Sequence, residues 1–123
     1  MYLDFNVLVG KTLASIQVED TDDDYIIFNT TDGSKYMMYH DQECCESVTI
    51  EDICGNLDNL IGSPILMAEE RTEYGSEDHD DRWFESSTFT FYEIATNKGS
   101  VTIRWFGESN GYYSESVDFK QII

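Results

Sequence analysis

The chain has 123 residues, a length that suits one domain, spanning residues 1–123, around one hydrophobic core. Hydrophobic residues make up 41% of it, which is enough for a packed core and excludes a disordered chain. The 25 acidic residues outnumber the 7 basic ones, giving a formal net charge of −18, and they are spread through both halves of the chain. We therefore expect an anionic surface that repels nucleic acid and membranes and attracts cationic proteins.

Strand patterns dominate the first third of the chain. Alternating polar and apolar side chains predict strands at Thr12–Glu19, Tyr25–Thr30 and Ser34–His40. The first strand places Leu13 on one face and Ala14, Ile16 and Val18 on the other. The Asp-Gly pair at 32–33 predicts a hairpin turn, because glycine tolerates a positive φ. The three strands together predict an antiparallel meander.

The rest of the chain mixes one short helix with further strands. Ser47–Ile53 fits either a strand or the start of a helix, whereas Asn56–Ile61 predicts one or two helical turns that end before a glycine. Further strands are predicted at Ile65–Thr72, Ser87–Thr96, Ser100–Gly107 and Tyr113–Phe119, with an acidic loop at Tyr74–Glu85. The predicted fold class is therefore α+β, a mostly antiparallel β-sheet of two hairpins or a meander with one short helix.

Three runs of sequence resemble a known family. They are HDQECCESV at 40–48, GNLDNLIG at 55–62 and TNKGSVTIRW at 96–105, and they carry the patterns HxxxCCE and GxLxxLIG. The chain resembles a family of small acidic proteins encoded by bacteriophages and other mobile elements, and the resemblance covers most of its length. The family brings no established activity and no catalytic residues. It implies a genomic setting in which small acidic proteins often counter host defences.

The first of these runs gathers possible metal ligands. His40, Cys44, Cys45 and Cys54 supply the four nitrogen and sulfur atoms that tetrahedral zinc needs. Adjacent cysteines in a strand point to opposite faces, so we predict no metal and no cofactor and keep zinc as an alternative. Three cysteines, an odd number, predict free thiols in a reducing cytoplasm, with a Cys44–Cys45 disulfide possible on oxidation.

Other functional classes find less support. Flanking carboxylates disfavour the thiolate that cysteine chemistry requires, and no strained-turn nucleophile motif is present, so we predict no enzyme and no catalytic residues. A pocket that sequesters a small ligand such as a cyclic nucleotide stays an alternative. It would use Arg82 beside Trp83 and Arg104 beside Trp105, pairs that could hold a phosphate and stack a base.

The leading hypothesis rests on acids that occur without any base between Lys35 and Arg71. They are Asp41, Glu43, Glu46, Glu51, Asp52, Asp58, Glu69 and Glu70. Carboxylates on a rigid sheet can present a row of charge like that of a DNA backbone. We predict a non-enzymatic phage or mobile-element protein that uses this face to block a basic, nucleic-acid-binding host protein, such as a CRISPR effector, nuclease or restriction enzyme.

The same hypothesis assigns places to the remaining residues. The apolar residues around the cysteines should pack the core together with one or two of the cysteines: Val48, Ile50, Ile53, Leu57, Leu60 and Ile61. The chain shows no signal-peptide pattern and no run long enough for a membrane span, so we expect the host cytoplasm as its location. The strand Ser87–Thr96 could support a homodimer.

Overall fold

The computed structural model describes residues 3–20, 23–74, 86–111 and 113–123. These ranges contain eight strands: β1 Leu13–Glu19, β2 Tyr25–Thr30, β3 Lys35–Tyr39, β4 Ser47–Cys54, β5 Met67–Tyr74, β6 Ser86–Thr96, β7 Gly99–Ser109 and β8 Asp118–Gln121. Their helical residues are two short 3₁₀ turns, Phe5–Leu8 and Leu57–Leu60. The mostly antiparallel sheet is confirmed, whereas the predicted helix is a 3₁₀ turn, so the α+β label fits only loosely.

The strands form two antiparallel sheets of four strands each, in the orders β1-β2-β3-β8 and β4-β7-β6-β5. The predicted meander is confirmed, since β2 pairs with both β1 and β3. Gly33 has a φ of 92° in the turn between β2 and β3, as the Asp-Gly pair predicts. The predicted second hairpin, β6 with β7, is also confirmed.

Pairing between distant segments decides the remaining strands. Ser47–Ile53, which fits a strand or a helix from sequence alone, is a strand because β4 pairs with β7 along its length. The predicted last strand Tyr113–Phe119 is misplaced. Strand β8 begins only at Asp118, where pairing with β3 begins, and it continues to Gln121.

The buried faces of the two sheets meet in one core. Trp105 of β7 is fully buried, and its indole Nε1 donates a hydrogen bond to the Sδ atom of Met38 on β3 at 3.2 Å. Phe5 lies between the layers, with its ring centroid 4.8 Å from that of Tyr92 and 5.3 Å from that of Phe119. Burying an aromatic side chain of this size contributes about 2 kcal/mol or more. Because these contacts join strands of both sheets, the fold is a two-layer β-sandwich.

A β-bulge changes the expected facing of the first strand. The register of β1 against β2 shifts between Leu13 and Ser15. Because the extra residue reverses the alternation, Leu13, Ile16 and Val18 all pack against the core, while Ala14 is exposed. The predicted separation of Leu13 from Ile16 and Val18 is therefore wrong.

The core around β4 follows the prediction only in part. Val48 and Leu60 are buried, and the other predicted apolar residues of this segment are partly buried. The cysteines are all exposed, so the prediction that one or two of them join the core is wrong. Gly55 has a φ of 114°, and a Cβ atom there would lie 2.7 Å from the carbonyl oxygen of Ser100. Backbone packing between β4 and β7 therefore requires glycine at the start of the GxLxxLIG pattern.

Candidate functional site

The HxxxCCE pattern forms a loop built around one buried carboxylate, which we call the His40–Glu46 loop. The Glu46 side chain has no exposed area. Its Oε2 atom accepts hydrogen bonds from the backbone amide of Glu43 and from Nε2 of His40, both at 2.9 Å. Its Oε1 atom accepts from the amide of Cys44 at 2.9 Å and from Nε2 of Gln42 at 3.2 Å. Both oxygens of this carboxylate are therefore fully engaged within the loop.

His40 joins this loop to the end of the chain. Its side chain is only 4% exposed, and its Nδ1 atom lies 2.7 Å from the backbone carbonyl oxygen of Ser116. A carbonyl oxygen and a carboxylate oxygen both accept hydrogen bonds, so each ring nitrogen of His40 faces an acceptor. Through these two contacts, the His40 ring ties the Glu46 carboxylate and its loop to the segment before β8.

The electrostatics of Glu46 agree with this geometry. Burial acts to raise the pKa of Glu46, but the amides of Glu43 and Cys44 and the ring of His40 outweigh it and lower the pKa to about 2. The carboxylate is therefore ionised at all ordinary pH values. The prediction that Glu46 faces a partner is wrong, because its own loop encloses it.

The cysteines do not form the zinc site considered as an alternative. Cys44 and Cys45 are joined in a disulfide, so the prediction of free thiols is wrong for these two. Cys54 is free and exposed at the end of β4, and the hydrogen bond to Asp52 raises the pKa of its thiol. Within the ranges that the structure describes, no group of three or more His, Cys, Asp or Glu side chains could hold a metal ion.

The predicted acidic face is divided between the two edges of the second sheet. Asp41 and Glu43 lie exposed on the His40–Glu46 loop, Glu51 and Asp52 on β4, and Asp58 on the second 3₁₀ turn. Glu69 and Glu70 lie on β5, at the opposite edge. Three strand spacings, about 14 Å, separate β4 from β5, so these acids do not form one continuous row.

Glu69 and Glu70 also point in opposite directions, because neighbouring residues of a strand face opposite sides of the sheet. The hydroxyl of Tyr92, a buried residue, donates to Oε1 of Glu70 at 3.3 Å. Burial, opposed by this hydrogen bond and reinforced by repulsion from Asp4 and Asp118, raises the pKa of Glu70. Glu70 therefore lies on the core-facing side of β5, where it stays partly open to solvent at the sheet edge, and of this pair only Glu69 lies on the outward side of the sheet.

The side of the second sheet that points away from the core, here called the outer face, carries an aromatic cluster. The strand registers show which residues lie on this outer face. They include Thr49, Glu51 and Asp52 on β4, Glu69, Arg71 and Glu73 on β5, Phe89, Phe91 and Glu93 on β6, and Thr102, Arg104, Phe106 and Glu108 on β7. The ring centroid of Phe89 lies 4.7 Å from that of Phe106 and 6.2 Å from that of Phe91. All three phenyl rings are partly exposed.

Two arginines flank this cluster. The guanidinium of Arg71 lies 4.6 Å from the ring centroid of Phe91, and that of Arg104 lies 5.9 Å from the centroid of Phe89. Arg71 also contacts Glu93 at 3.4 Å. Arg104 contacts Glu51 at 3.3 Å. A β-bulge between Ile50 and Asp52 turns the Glu51 side chain toward the outer face. The result is an aromatic and cationic centre held between carboxylates.

The small-ligand site considered as an alternative is not assembled by the described residues. Trp105 is fully buried in the core, on the opposite face of β7 from Arg104. Its ring is therefore unable to stack a base beside that guanidinium. The other predicted pair, Arg82 and Trp83, lies outside the described residues.

The sequence alone predicts one row of residues on the outer face. Phe89, Phe91 and Glu93 share a face of β6, as strand alternation indicates. Arg71 and Phe106 join them only through the pairing of β5 and β7 with β6. The missing signal was the hairpin register, since a two-residue turn after Thr96 places Phe106 directly opposite Phe89.

Comparison with known proteins identifies the family of the chain but gives no function for it. A family model described as a domain of unknown function, DUF7448, matches residues 6–119, which is nearly the whole chain. No curated protein matches the chain. No solved structure matches it either. In the part of the chain that the structure describes, no helix is long and apolar enough to cross a membrane.

Proposed function

We propose that this chain, which belongs to the DUF7448 family, is a non-enzymatic inhibitor that occupies the nucleic-acid-binding surface of a basic protein. The observation that carries the proposal is the net charge of −18 on a packed β-sandwich, in which most acids of the described ranges are exposed. In the setting that the phage resemblance implies, the target is a host defence protein: a CRISPR effector, a nuclease or a restriction enzyme. The chain acts in the host cytoplasm, without direct contact to nucleic acid or membrane.

A rigid sheet suits this mechanism because it fixes the positions of its charges before binding. Same-face residues of a strand lie about 7 Å apart, and neighbouring strands about 5 Å apart, so a sheet presents a regular grid. Carboxylates such as Asp52 and Glu69 hold grid positions at the two edges of the outer face. A preorganised grid loses little conformational entropy on docking to lysines and arginines that otherwise contact phosphates.

The structure of the His40–Glu46 loop argues against His40 as a general base. A general base needs a ring nitrogen that faces its substrate. Both nitrogens of His40 are engaged, one by Ser116 and one by Glu46, and the side chain is almost fully enclosed. This histidine therefore serves the fold, and the exposed carboxylates are left to act through charge and shape.

The proposal is tested by displacement of fluorescent duplex DNA from a panel of purified CRISPR effectors, nucleases and restriction enzymes. We expect the protein to displace DNA from at least one of them, with an affinity that falls steeply as salt rises. Polyglutamate of equal charge is the control, and it should be at least tenfold less effective because it lacks a fixed shape. Absence of displacement across the panel at low salt, with a folded protein, would contradict the proposal.

A further inference from the structure

We propose that the outer face is the surface that docks on the partner, and that the partner presents an apolar or aromatic anchor ringed by lysines and arginines. This inference rests on the proposed function and names the docking surface and the chemistry that it recognises. It commits to a cationic protein partner rather than to a second copy of the chain.

The aromatic cluster is the first reason. A sheet that packs one face on the core normally presents polar side chains on the other, whereas this one presents Phe89 in contact with both Phe91 and Phe106. Contiguous partly exposed aromatic side chains are typical of interaction sites, and aromatic residues near the centre of an interface supply much of its binding energy. The flat guanidiniums of Arg71 and Arg104 extend this surface over the rings.

The arrangement of charge is the second reason. The carboxylates around the cluster are Glu51 and Asp52 on β4, Glu69 and Glu73 on β5, Glu93 on β6 and Glu108 on β7. Glu51, Glu73 and Glu93 pair with the two arginines of the face. Asp52, Glu69 and Glu108 form no ion pair among the described residues, so the rim keeps a net negative charge. A partner with an apolar centre and a cationic rim matches this pattern.

The same charges argue against a second copy of the chain. Two outer faces placed together would bring like-charged rims into contact between chains that each carry −18. Strand addition through the predicted dimer strand Ser87–Thr96 is also blocked. This strand is β6, and β5 and β7 already pair with it on both sides.

The test uses two synthetic peptides as probes. One has a tryptophan between two runs of three arginines, and the other has glycine in place of the tryptophan. We expect the tryptophan peptide to bind about tenfold more tightly, because it can bury its ring against the phenylalanines. Backbone amide shifts in the NMR spectrum of the unaltered protein should then change most along β6 and β7, around Phe89, Phe91 and Phe106.

Two substitutions at the cluster sharpen the result. Phe91→Thr and Phe106→Thr each place a β-branched residue, which favours the strand conformation, and each should remove most of the preference for the tryptophan peptide. Tyr25→Thr, at a partly exposed aromatic residue of the first sheet, is the matched control and should leave the preference unchanged. Melting curves establish that each variant is folded, and the NMR map needs no variant at all.

Each other outcome decides the question. Equal affinity of the two peptides, or shifts centred on the first sheet, would overturn the docking surface while leaving the proposed inhibitor function intact. Failure of both peptides to bind at low salt would contradict the proposed function as well. If light scattering showed that the protein self-associates, and the outer face formed the contact, the occupant of this face would be a second copy of the chain. That result would refute the inference.

Discussion

The His40–Glu46 loop and the outer face use the same kind of side chain in opposite ways. In the loop, Glu46 is fully enclosed and accepts hydrogen bonds from two amides, a histidine and a glutamine. On the outer face, Glu73 is 59% exposed, and its one ion pair among the described residues is with Arg71, at 3.6 Å. Removal of an enclosed carboxylate leaves its buried hydrogen-bond donors without an acceptor, whereas removal of an exposed carboxylate lets its partner bind water. The contrast separates the acids that hold the fold from those available to a partner.

The largest expected effect comes from Glu46→Gln, which breaks the loop side of this comparison. The substitution removes the buried negative charge of the Glu46 carboxylate and replaces one acceptor oxygen by an amide NH₂ donor that faces other donors. We expect the free energy of unfolding to fall by about 3 kcal/mol, measured by urea denaturation. Glu43→Gln, an exposed neighbour in the same loop, is the control and should change stability little. Equal stability of the two variants would contradict the structural role of Glu46.

Acid should erase the difference that Glu46→Gln creates. The pKa of Glu46 is lowered from 4.5 to about 2 in the folded protein, so the carboxylate stabilises the fold fully above its unfolded pKa. That contribution is lost as pH falls from about 4.5 to about 2. Unfolding curves of the unaltered protein and the variant should therefore converge in this window, and a gap that persists at pH 2 would refute the assignment.

Glu70 lies between the two extremes and should respond in the opposite direction. Burial, together with repulsion from Asp4 and Asp118, raises its pKa, so the ionised form destabilises the folded protein. Glu70→Gln should therefore raise the melting temperature slightly at neutral pH. The gain should disappear in acid, where Glu70 takes up a proton in the folded state first. A loss of stability at neutral pH would show that the Tyr92 hydrogen bond outweighs the repulsion.

Reduction of the Cys44–Cys45 disulfide should have the smallest effect. The bond joins adjacent residues, so it closes almost no loop and restricts the unfolded chain little. We expect dithiothreitol to shift the melting temperature far less than Glu46→Gln does. A large shift on reduction would mean that the disulfide, rather than the Glu46 carboxylate, organises the His40–Glu46 loop.

Local sequence signals predict the parts of the fold that local interactions determine. Alternation and the Asp-Gly turn identify β1, β2, β3 and the two hairpins, because each depends on residues close in the chain. The pairing of β3 with β8 and of β4 with β7 joins distant segments, and no local pattern encodes it. For the same reason, the sequence pattern predicts the last strand at Tyr113–Phe119, whereas β8 begins only at Asp118.

The candidate site was predictable to a smaller extent. From the sequence, Glu46 is a charged residue in a polar segment, a pattern that is typical of an exposed loop. Only the tertiary contacts of His40 show that Glu46 is enclosed. Arg104 and Trp105 are a different case, since strand alternation alone places neighbours on opposite faces of β7. Applied to this pair, that rule predicts an outward guanidinium and an indole in the core, as the structure shows.

The affinity of the tryptophan peptide for two variants of equal charge, measured by calorimetry, tests most directly whether the outer face docks on the partner. D52N/E69Q removes two carboxylates from the outer face, and Q17K/T31K adds two positive charges at exposed positions of β1 and of the turn after β2. Both change the net charge by two units. We expect about tenfold weaker binding for D52N/E69Q, from two lost contacts of about 0.7 kcal/mol each, and little change for Q17K/T31K. Equal weakening by both variants would show that total charge, rather than the outer face, governs binding.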